Sequence, residues 1–318
     1  MAISKFLDPK NDVAFHRIFG TEKNKDILIH FINDILGLKN GDKIKEVTFL
    51  PTIQIPEIAA KKQSIVDVLC KDENGVQIIV EMQVSPQEGF EKRAQYYAAK
   101  AYSRQLNKGK EEGGRYIDLK AVIFIAISDY VVFKDKISYK SDHIILDKDS
   151  YDNDLKDFSF TFIELPKFKI TDINLLTNLL EKWCYFFKYA DETSEADLRK
   201  LIGSDEVIER AYEELNQFNW TEAELLTYEQ EIKRIMDHRA IEDYRIKQEK
   251  IRLEEALAKG LAEGEARGEA RGEARGKAEG RAESKAEIAL AMIQDGDSIE
   301  KISKITGLSI DEIHKLKS

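Results

Sequence analysis

Ser64-Ile65-Val66-Asp67-Val68-Leu69-Cys70-Lys71-Asp72-Glu73-Asn74-Gly75-Val76-Gln77-Ile78-Ile79-Val80-Glu81-Met82-Gln83 holds two apolar, β-branched runs separated by a turn-forming segment. Such runs predict a β-hairpin, and the length of the turn decides which side chains meet. A two-residue Asn74-Gly75 turn pairs Val68 with Glu81 and sends the carboxylates of Asp67 and Glu81 to opposite faces. A three-residue loop Glu73-Asn74-Gly75, closed by Gly75 in the left-handed conformation, pairs Asp72 with Val76 and therefore Asp67 with Glu81. In that register Val66, Val68, Cys70, Ile78, Val80 and Met82 are expected on one apolar face, suited to a core. Asp67, Glu81 and Gln83 then share the other face with Ile65, Leu69 and Ile79.

Like charges directly opposite on neighbouring strands destabilise a sheet, and a bound divalent cation is the natural compensation. Two oxygen ligands on rigid strands, with the other positions left to water and phosphate oxygens, describe a Mg²⁺ (or Mn²⁺) site acting on a phosphodiester. An Asp and a Glu on neighbouring strands also serve as plain solvated edge charges. The apolar surroundings of this pair favour the site.

Ser64-Ile65-Val66-Asp67-Val68, Glu81-Met82-Gln83 and Arg93-Ala94-Gln95-Tyr96-Tyr97-Ala98-Ala99-Lys100-Ala101-Tyr102 resemble the recombination-promoting nuclease family, also described as transposases, of the PD-(D/E)xK nuclease superfamily. The likeness takes in Asn11-Asp12-Val13-Ala14-Phe15, Ile18-Phe19-Gly20 and Phe31-Ile32-Asn33-Asp34-Ile35-Leu36-Gly37. Downstream it includes Phe160-Thr161-Phe162-Ile163-Glu164-Leu165-Pro166-Lys167-Phe168 and the helix containing Trp183, so it spans roughly the first two thirds of the chain. The resemblance implies a PD-(D/E)xK nuclease-like α/β fold, a mixed sheet flanked by helices. It also implies metal ligation by Asp67 and Glu81, and DNA as substrate in recombination or mobile-element chemistry.

One departure matters: the superfamily's usual Lys, two positions after the Glu, is Gln83 here. Gln orients a water or a phosphate through hydrogen bonds, but it carries no charge and cannot act as a base. Arg93, Tyr97 and Lys100 recur at helical intervals, and Arg104 continues the row. Lys100 is thus a candidate catalytic cation, with Arg93, Tyr97 and Arg104 as phosphate contacts. The alternative is an amphipathic helix whose Tyr residues pack while Arg and Lys extend their stems over the surface. Asp12 either favours the positive end of the first helix or, as that helix does in the superfamily, borders the site as an accessory residue. His16 and His30 read as packing or surface residues, since no second His or Cys stands at ligand spacing.

The chain has 318 residues and a formal net charge of -10, which allows an ordinary domain with an accessory region and argues against a broad basic surface. A local basic groove is compatible with that balance. Two cysteines, Cys70 and Cys184, imply neither a disulfide framework nor a zinc site, and a reducing cytoplasm fits. No apolar stretch reaches the roughly 20 residues that cross a bilayer, and Met1-Ala2-Ile3-Ser4-Lys5 opens no signal peptide, so no membrane is expected.

Asp8-Pro9 reads as the N-cap and first position of a helix carrying Val13, Phe15, Ile18 and Phe19. A second helix is expected over 25–36, a strand over 45–53, then the hairpin, a helix over 88–107 and a strand over 121–127. Two more strands fit 136–165, and a helix over 175–189 turns Leu176, Leu179, Leu180 and Trp183 inward. The expected domains are a catalytic domain (1–190), a helical extension (191–259), a repeat linker or helix (260–284) and a small helix-turn-helix-like module (285–318).

From 260 to 280 a glycine stands at every fourth position within Gly-Glu-Ala-Arg units. Mid-helix glycine costs about 1 kcal/mol relative to alanine, so the run is a weak helix in isolation. Four residues advance a helix by about 400°, so Glu aligns with Glu and Arg with Arg along like-charged rows. The segment is either a partly helical spacer or a helix through which copies of the chain associate as a homo-oligomer. In the last segment Ser298 and Ser309 read as N-caps and Gly307 as the turn between two short helices. Asp311, Glu312, His314 and Lys315 make a poor base-reading set, which favours a packing or partner-binding module over a DNA reader.

These readings converge on a divalent-metal-dependent DNA endonuclease. Asp67 and Glu81 would hold the metal, Gln83 would position water or phosphate, and Lys100 or Arg93 would offset charge in the transition state. The alternative is a nucleic-acid-binding or oligomeric assembly protein on a weakened nuclease fold, to which Gln83 and the acidic balance point.

Overall fold

A computed structural model describes residues 5–54, 64–107, 115–203 and 205–317. The chain forms two compact units, 1–239 and 240–318. In the first, Asn11 caps α1 (Asp12–Phe19) by accepting from the Val13 N–H at 2.9 Å. The cap expected at Asp8 is displaced, because the Asp8 carboxylate accepts from the Lys10 N–H instead and so closes a local turn before the helix starts. α2 (Lys25–Leu36) ends at Gly37, whose φ of 65° provides the left-handed stop.

The strand expected over 45–53 is split into β1 (Val47–Phe49) and β2 (Ile53–Gln54). β3 (Ser64–Ile65), β4 (Val68–Asp72), β5 (Gln77–Gln83) and α3 (Phe90–Ser103) follow. Next come β6 (Val122–Ser128), β7 (Lys140–Ile144), β8 (Phe158–Glu164) and α4 (Leu179–Tyr189). α5 (Glu195–Ile202), α6 (Glu206–Leu215) and α7 (Glu222–Gln294) succeed them. The first unit extends through α5, α6 and the start of α7 to Arg239.

β1, β4, β5, β6, β8 and β7 form a six-stranded sheet in that spatial order, while β2 and β3 pair separately. β5 pairs in parallel with β6 and β6 in parallel with β8; the other pairings are antiparallel. A parallel pair needs a crossover, and α3 supplies the one between β5 and β6. Alternation sorts the strands between two cores. Val68, Cys70, Ile78, Val80, Met82, Ile125 and Ile127 face a core shared with α1, α2, α4 and α6. Leu69, Ile79, Phe124, Ala126 and Phe162 face the Phe90, Ala94, Ala98 and Ala101 side of α3. Val66 packs with this second group, contrary to the alternation expected for it. The chain bends at Asp67, just before β4, so the period of two does not carry through.

Trp183 is buried, as expected, and its Nε1 donates to Asp34 Oδ2 at 2.8 Å, tying α4 to α2. Cys70 and Cys184 are free and buried, and burial pushes both thiols up to about 12, which makes them inert.

The second unit has its own small core. Ala289, Ile302 and Ile313 are buried where the end of α7 meets α8 (Ile299–Thr306) and α9 (Ile310–Lys317). Gly307, with φ of 72°, stops α8, and Ser309 with Glu312 forms a capping box for α9. The Gly-Glu-Ala-Arg run is helical and exposed. Its arginine row (267, 271, 275) ends in opposite charges: Arg275 pairs with Glu279 at 2.7 Å, and Arg267 with Glu263 at 4.0 Å. These end pairs offset part of the repulsion along that row.

Glu164 is wholly buried at the end of β8 and accepts from the Val132 N–H at 2.6 Å and the Phe133 N–H at 3.0 Å. Lys167 Nζ lies 2.6 Å from its other oxygen and donates to the Phe133 carbonyl at 2.7 Å. Removing one partner strands the other charge without solvent. Glu164→Ala is expected to lower stability by about 3–5 kcal/mol, read as a fall in the urea midpoint. An unchanged midpoint contradicts the buried pair.

Candidate active site

The site begins at the turn. Asp72 Oδ1 accepts from the Asn74 N–H at 2.9 Å and the Val76 N–H at 2.8 Å, and the Gly75 N–H donates to the Asp72 carbonyl at 3.1 Å. Gly75 has φ of 84°, which disfavours any residue with a Cβ, and a Cβ there would also crowd Lys120 Cγ at 3.3 Å. The loop is therefore Glu73-Asn74-Gly75, with Asp72 N–H donating to the Val76 carbonyl at 2.9 Å. From there Lys71 pairs with Gln77, Leu69 with Ile79 and Val68 with Val80, so Asp67 comes opposite Glu81.

Because Asp67 lies at the bend before β4, its side chain reaches across to β5, where Oδ2 accepts from the Met82 N–H at 2.8 Å. Glu81 Oε1 accepts in return from the Asp67 N–H at 3.2 Å. Both carboxyls are pushed well above the usual range. Burial raises Asp67 to about 7, opposed by the Met82 hydrogen bond. Burial, and then the charge of Asp67, raises Glu81.

Gln83 is buried beside them. Its Nε2 donates to Glu81 Oε2 at 3.1 Å, while its Oε1 accepts from Arg93 Nη2 at 2.6 Å. Arg93 also donates from Nη1 to Gln87 and lies 5.1 Å from the Phe90 ring centroid and 5.8 Å from that of Tyr97. The amide of Gln83 is thus locked between an anion and a cation, which fixes which end is oxygen. Tyr97 is half-buried, and its hydroxyl is raised by burial first, with Arg93, Glu81 and Asp67 all acting on it.

Of the remaining expected residues, Lys100 lies on α3 with Nζ 5.9 Å from the Tyr96 ring centroid, and Arg104 begins the short helical turn after α3. Asp12 opens α1 and lines, with Asp67, Met82 and Gln83, a groove of about 220 Å³. His16 is exposed, and His30 Nδ1 sits 2.8 Å from Asp34, so both stand apart from this groove.

The third wall of the groove comes from α7: Glu231, Arg234, Ile235 and His238. Sequence reasoning missed these residues. Their i, i+3, i+7 spacing puts Glu231, Arg234 and His238 on one helical face, but a charge-rich helix hides such a pattern. The usable signal was apolar: Leu225, Tyr228 and Ile232, after Trp220, mark this stretch as docked on the first core.

The group chemistry suits a hard divalent cation: a buried carboxylate, Glu81, beside a half-buried one of like charge, Asp67, each with lone pairs beyond the hydrogen bonds it makes. Among the described residues no cluster of three or more His, Cys, Asp or Glu is placed to hold a metal. Two carboxylates completed by water and substrate is the arrangement Mg²⁺ commonly takes.

The sheet and its helices follow the order helix, three strands, helix, strand of the PD-(D/E)xK nuclease superfamily. The chain belongs to the family described as PD-(D/E)XK nuclease family transposase, which matches residues 9–245. Membership supports a nuclease or recombination-related role, and a nuclease family implies DNA as substrate. Neither a curated protein nor a solved structure matches the chain. Among the described residues no helix is long and apolar enough to cross a membrane.

The raised carboxyls have a thermodynamic signature. A carboxyl that titrates near 7 when folded and near 3.8 when unfolded binds more protons in the folded state across that window. Stability therefore falls as pH rises between those values. Thermal unfolding in EDTA is expected to show this fall for the wild-type chain and a shallower one for Asp67→Asn and Glu81→Gln. Parallel pH profiles for all three chains contradict the buried, repelling pair.

Proposed function

We propose that this protein is a divalent-metal-dependent DNA endonuclease, with Asp67 and Glu81 as the metal-holding residues. The single observation that carries the reading is the register that brings these two carboxylates together at the wall of a groove, Glu81 buried and Asp67 half-buried. Burying two like charges destabilises the fold, and a cation removes that cost. A Mg²⁺ or Mn²⁺ ion held there would polarise a phosphodiester and lower the pKa of an attacking water.

The surrounding residues have separate tasks. Glu81 and Arg93 clamp the two ends of the Gln83 amide. Gln83 still has a second N–H and a second lone pair, with which it orients water or a phosphate oxygen. Arg93 brings to this position the positive charge that Gln83 lacks, and it offsets negative charge that builds up on the phosphate. Lys100, further along α3, and Tyr97 and Arg104 extend the face that a DNA backbone would follow.

Gln83 also supports a second reading, a DNA-binding protein with a weakened nuclease fold. Plasmid nicking separates the two. The wild-type chain is expected to nick supercoiled plasmid with Mg²⁺ or Mn²⁺ and not with EDTA. Asp67→Ala and Glu81→Ala are expected to lose at least ~100-fold, beyond the ~10–100-fold typical of losing a group that only supports a ligand, and Gln83→Ala to fall within that lower range. Mg²⁺ is also expected to raise the thermal midpoint of the wild-type chain and not of Glu81→Gln. Full activity in Asp67→Ala and Glu81→Ala overturns the mechanism, and a gel shift without cutting favours the second reading.

A further inference from the structure

The charge around the groove leaves a gap. Asp12, Asp67 and Glu231 line it with Glu81 close by, while Arg93 commits Nη2 to Gln83 and Nη1 to Gln87. A phosphate approaching such a site meets carboxylates on several sides. Among the described groove-lining residues, the fixed positive charge is Arg234 on α7, with His238 on the same helix.

Arg234 is held in place without being hidden. Its Nε lies 2.8 and 3.0 Å from the two Glu231 oxygens, and Nη2 also contacts Glu231. Nη2 reaches Asp12 Oδ2 at 3.4 Å, so the guanidinium bridges α7 and the start of α1 at the groove. The side chain is nonetheless 68% exposed. These contacts use Nε and Nη2; Nη1 carries two further N–H donors, and a guanidinium suits bidentate contact with phosphate. His238 is four residues on, one turn further along the same face.

We propose that Arg234 is a substrate-positioning residue that contacts a backbone phosphate of the DNA, with His238 supporting it, so that α7 completes the groove opened by α1 and β5. This rests on the nuclease reading above. It assigns the groove's phosphate contact to a helix outside the Asp67, Glu81 and Gln83 constellation. Glu231 then has a defined part: it preorients the guanidinium and lowers the entropy lost on binding.

The test uses the full chain. Duplex affinity is measured by fluorescence anisotropy over a KCl series, with EDTA present to prevent cutting, and KM and kcat come from plasmid nicking in Mg²⁺. Arg234→Gln is expected to weaken duplex affinity and raise KM about tenfold with kcat little changed, and to reduce the salt slope of log affinity by about 1. Arg234→Lys is expected to restore the slope. His238→Gln is expected to weaken binding by a smaller factor. Arg210→Gln, which removes an exposed cation paired with Asp26 and not among the groove-lining residues, serves as control and leaves all four readouts unchanged.

The Glu231→Gln/Arg234→Gln double variant separates contact from charge balance. If Arg234 only neutralises Glu231, the double variant recovers wild-type affinity and overturns the proposal; if it contacts phosphate, affinity and slope stay low. Unchanged affinity, KM and slope in Arg234→Gln overturn the proposal while leaving the nuclease reading intact. A wild-type chain that neither binds nor cuts DNA removes both.

Discussion

Two carboxylates that repel each other are held together by backbone geometry. Asp67 and Glu81 face one another across β4 and β5 because the loop between the strands is Glu73-Asn74-Gly75 and not Asn74-Gly75. The left-handed Gly75 and the Asp72 side chain fix that loop, and pairing propagates its register through Lys71, Cys70, Leu69 and Val68. A one-residue slip would exchange the two faces of β4, moving Cys70 and Val68 out of the first core. The apolar faces therefore keep the carboxylates in place, and core formation bears the cost of their repulsion. A pair held against its own repulsion in this way is what makes the site a functional candidate.

The hairpin was legible because parity is discrete. Two turn lengths were available, and one of them united both carboxylates opposite an apolar face. The same reasoning failed for Val66, since alternation holds only while the chain is extended and the bend at Asp67 breaks it. That bend is also what lets Asp67 Oδ2 reach the Met82 N–H. At the helix start the sequence pointed to Asp8 as the cap, but the Asp8 carboxylate is taken by the Lys10 N–H, and Asn11, a residue type equally suited to capping, fills the role three residues on.

Arg93 shows a different limit. Helical spacing put Arg93, Tyr97 and Lys100 on one stripe, but spacing does not rank the residues of a stripe. The rank comes from distance along the helix: Arg93 lies in the first turns of α3, close in sequence to Gln83, and its guanidinium reaches the amide at 2.6 Å. Glu231, Arg234 and His238 were less accessible still. They reach the groove through long-range packing of α7, and in a chain with 34% charged residues two more charges and a histidine on a helix attract no notice. Apolar residues are the better guide to which part of a charged helix is docked, and Tyr228 is such a residue. It is buried and accepts from the Asp8 N–H at 2.9 Å, which pins α7 to the segment before α1.

The substitution of Gln for Lys after the second carboxylate redistributes charge without leaving it missing. A lysine at 83 would place an ammonium beside Glu81 and satisfy that carboxylate directly. Gln83 instead leaves Glu81 with a weaker, neutral donor, and the nearest full positive charge sits one group further out on Arg93. Charge at that distance lowers the carboxyl pKa less, which is consistent with burial dominating at both Asp67 and Glu81. In the reading proposed here, the consequence is a division of labour. The inner carboxylates stay poorly compensated by protein and so favour a cation, while the fixed positive charges stand at the rim, on α3 and α7, where a phosphate arrives.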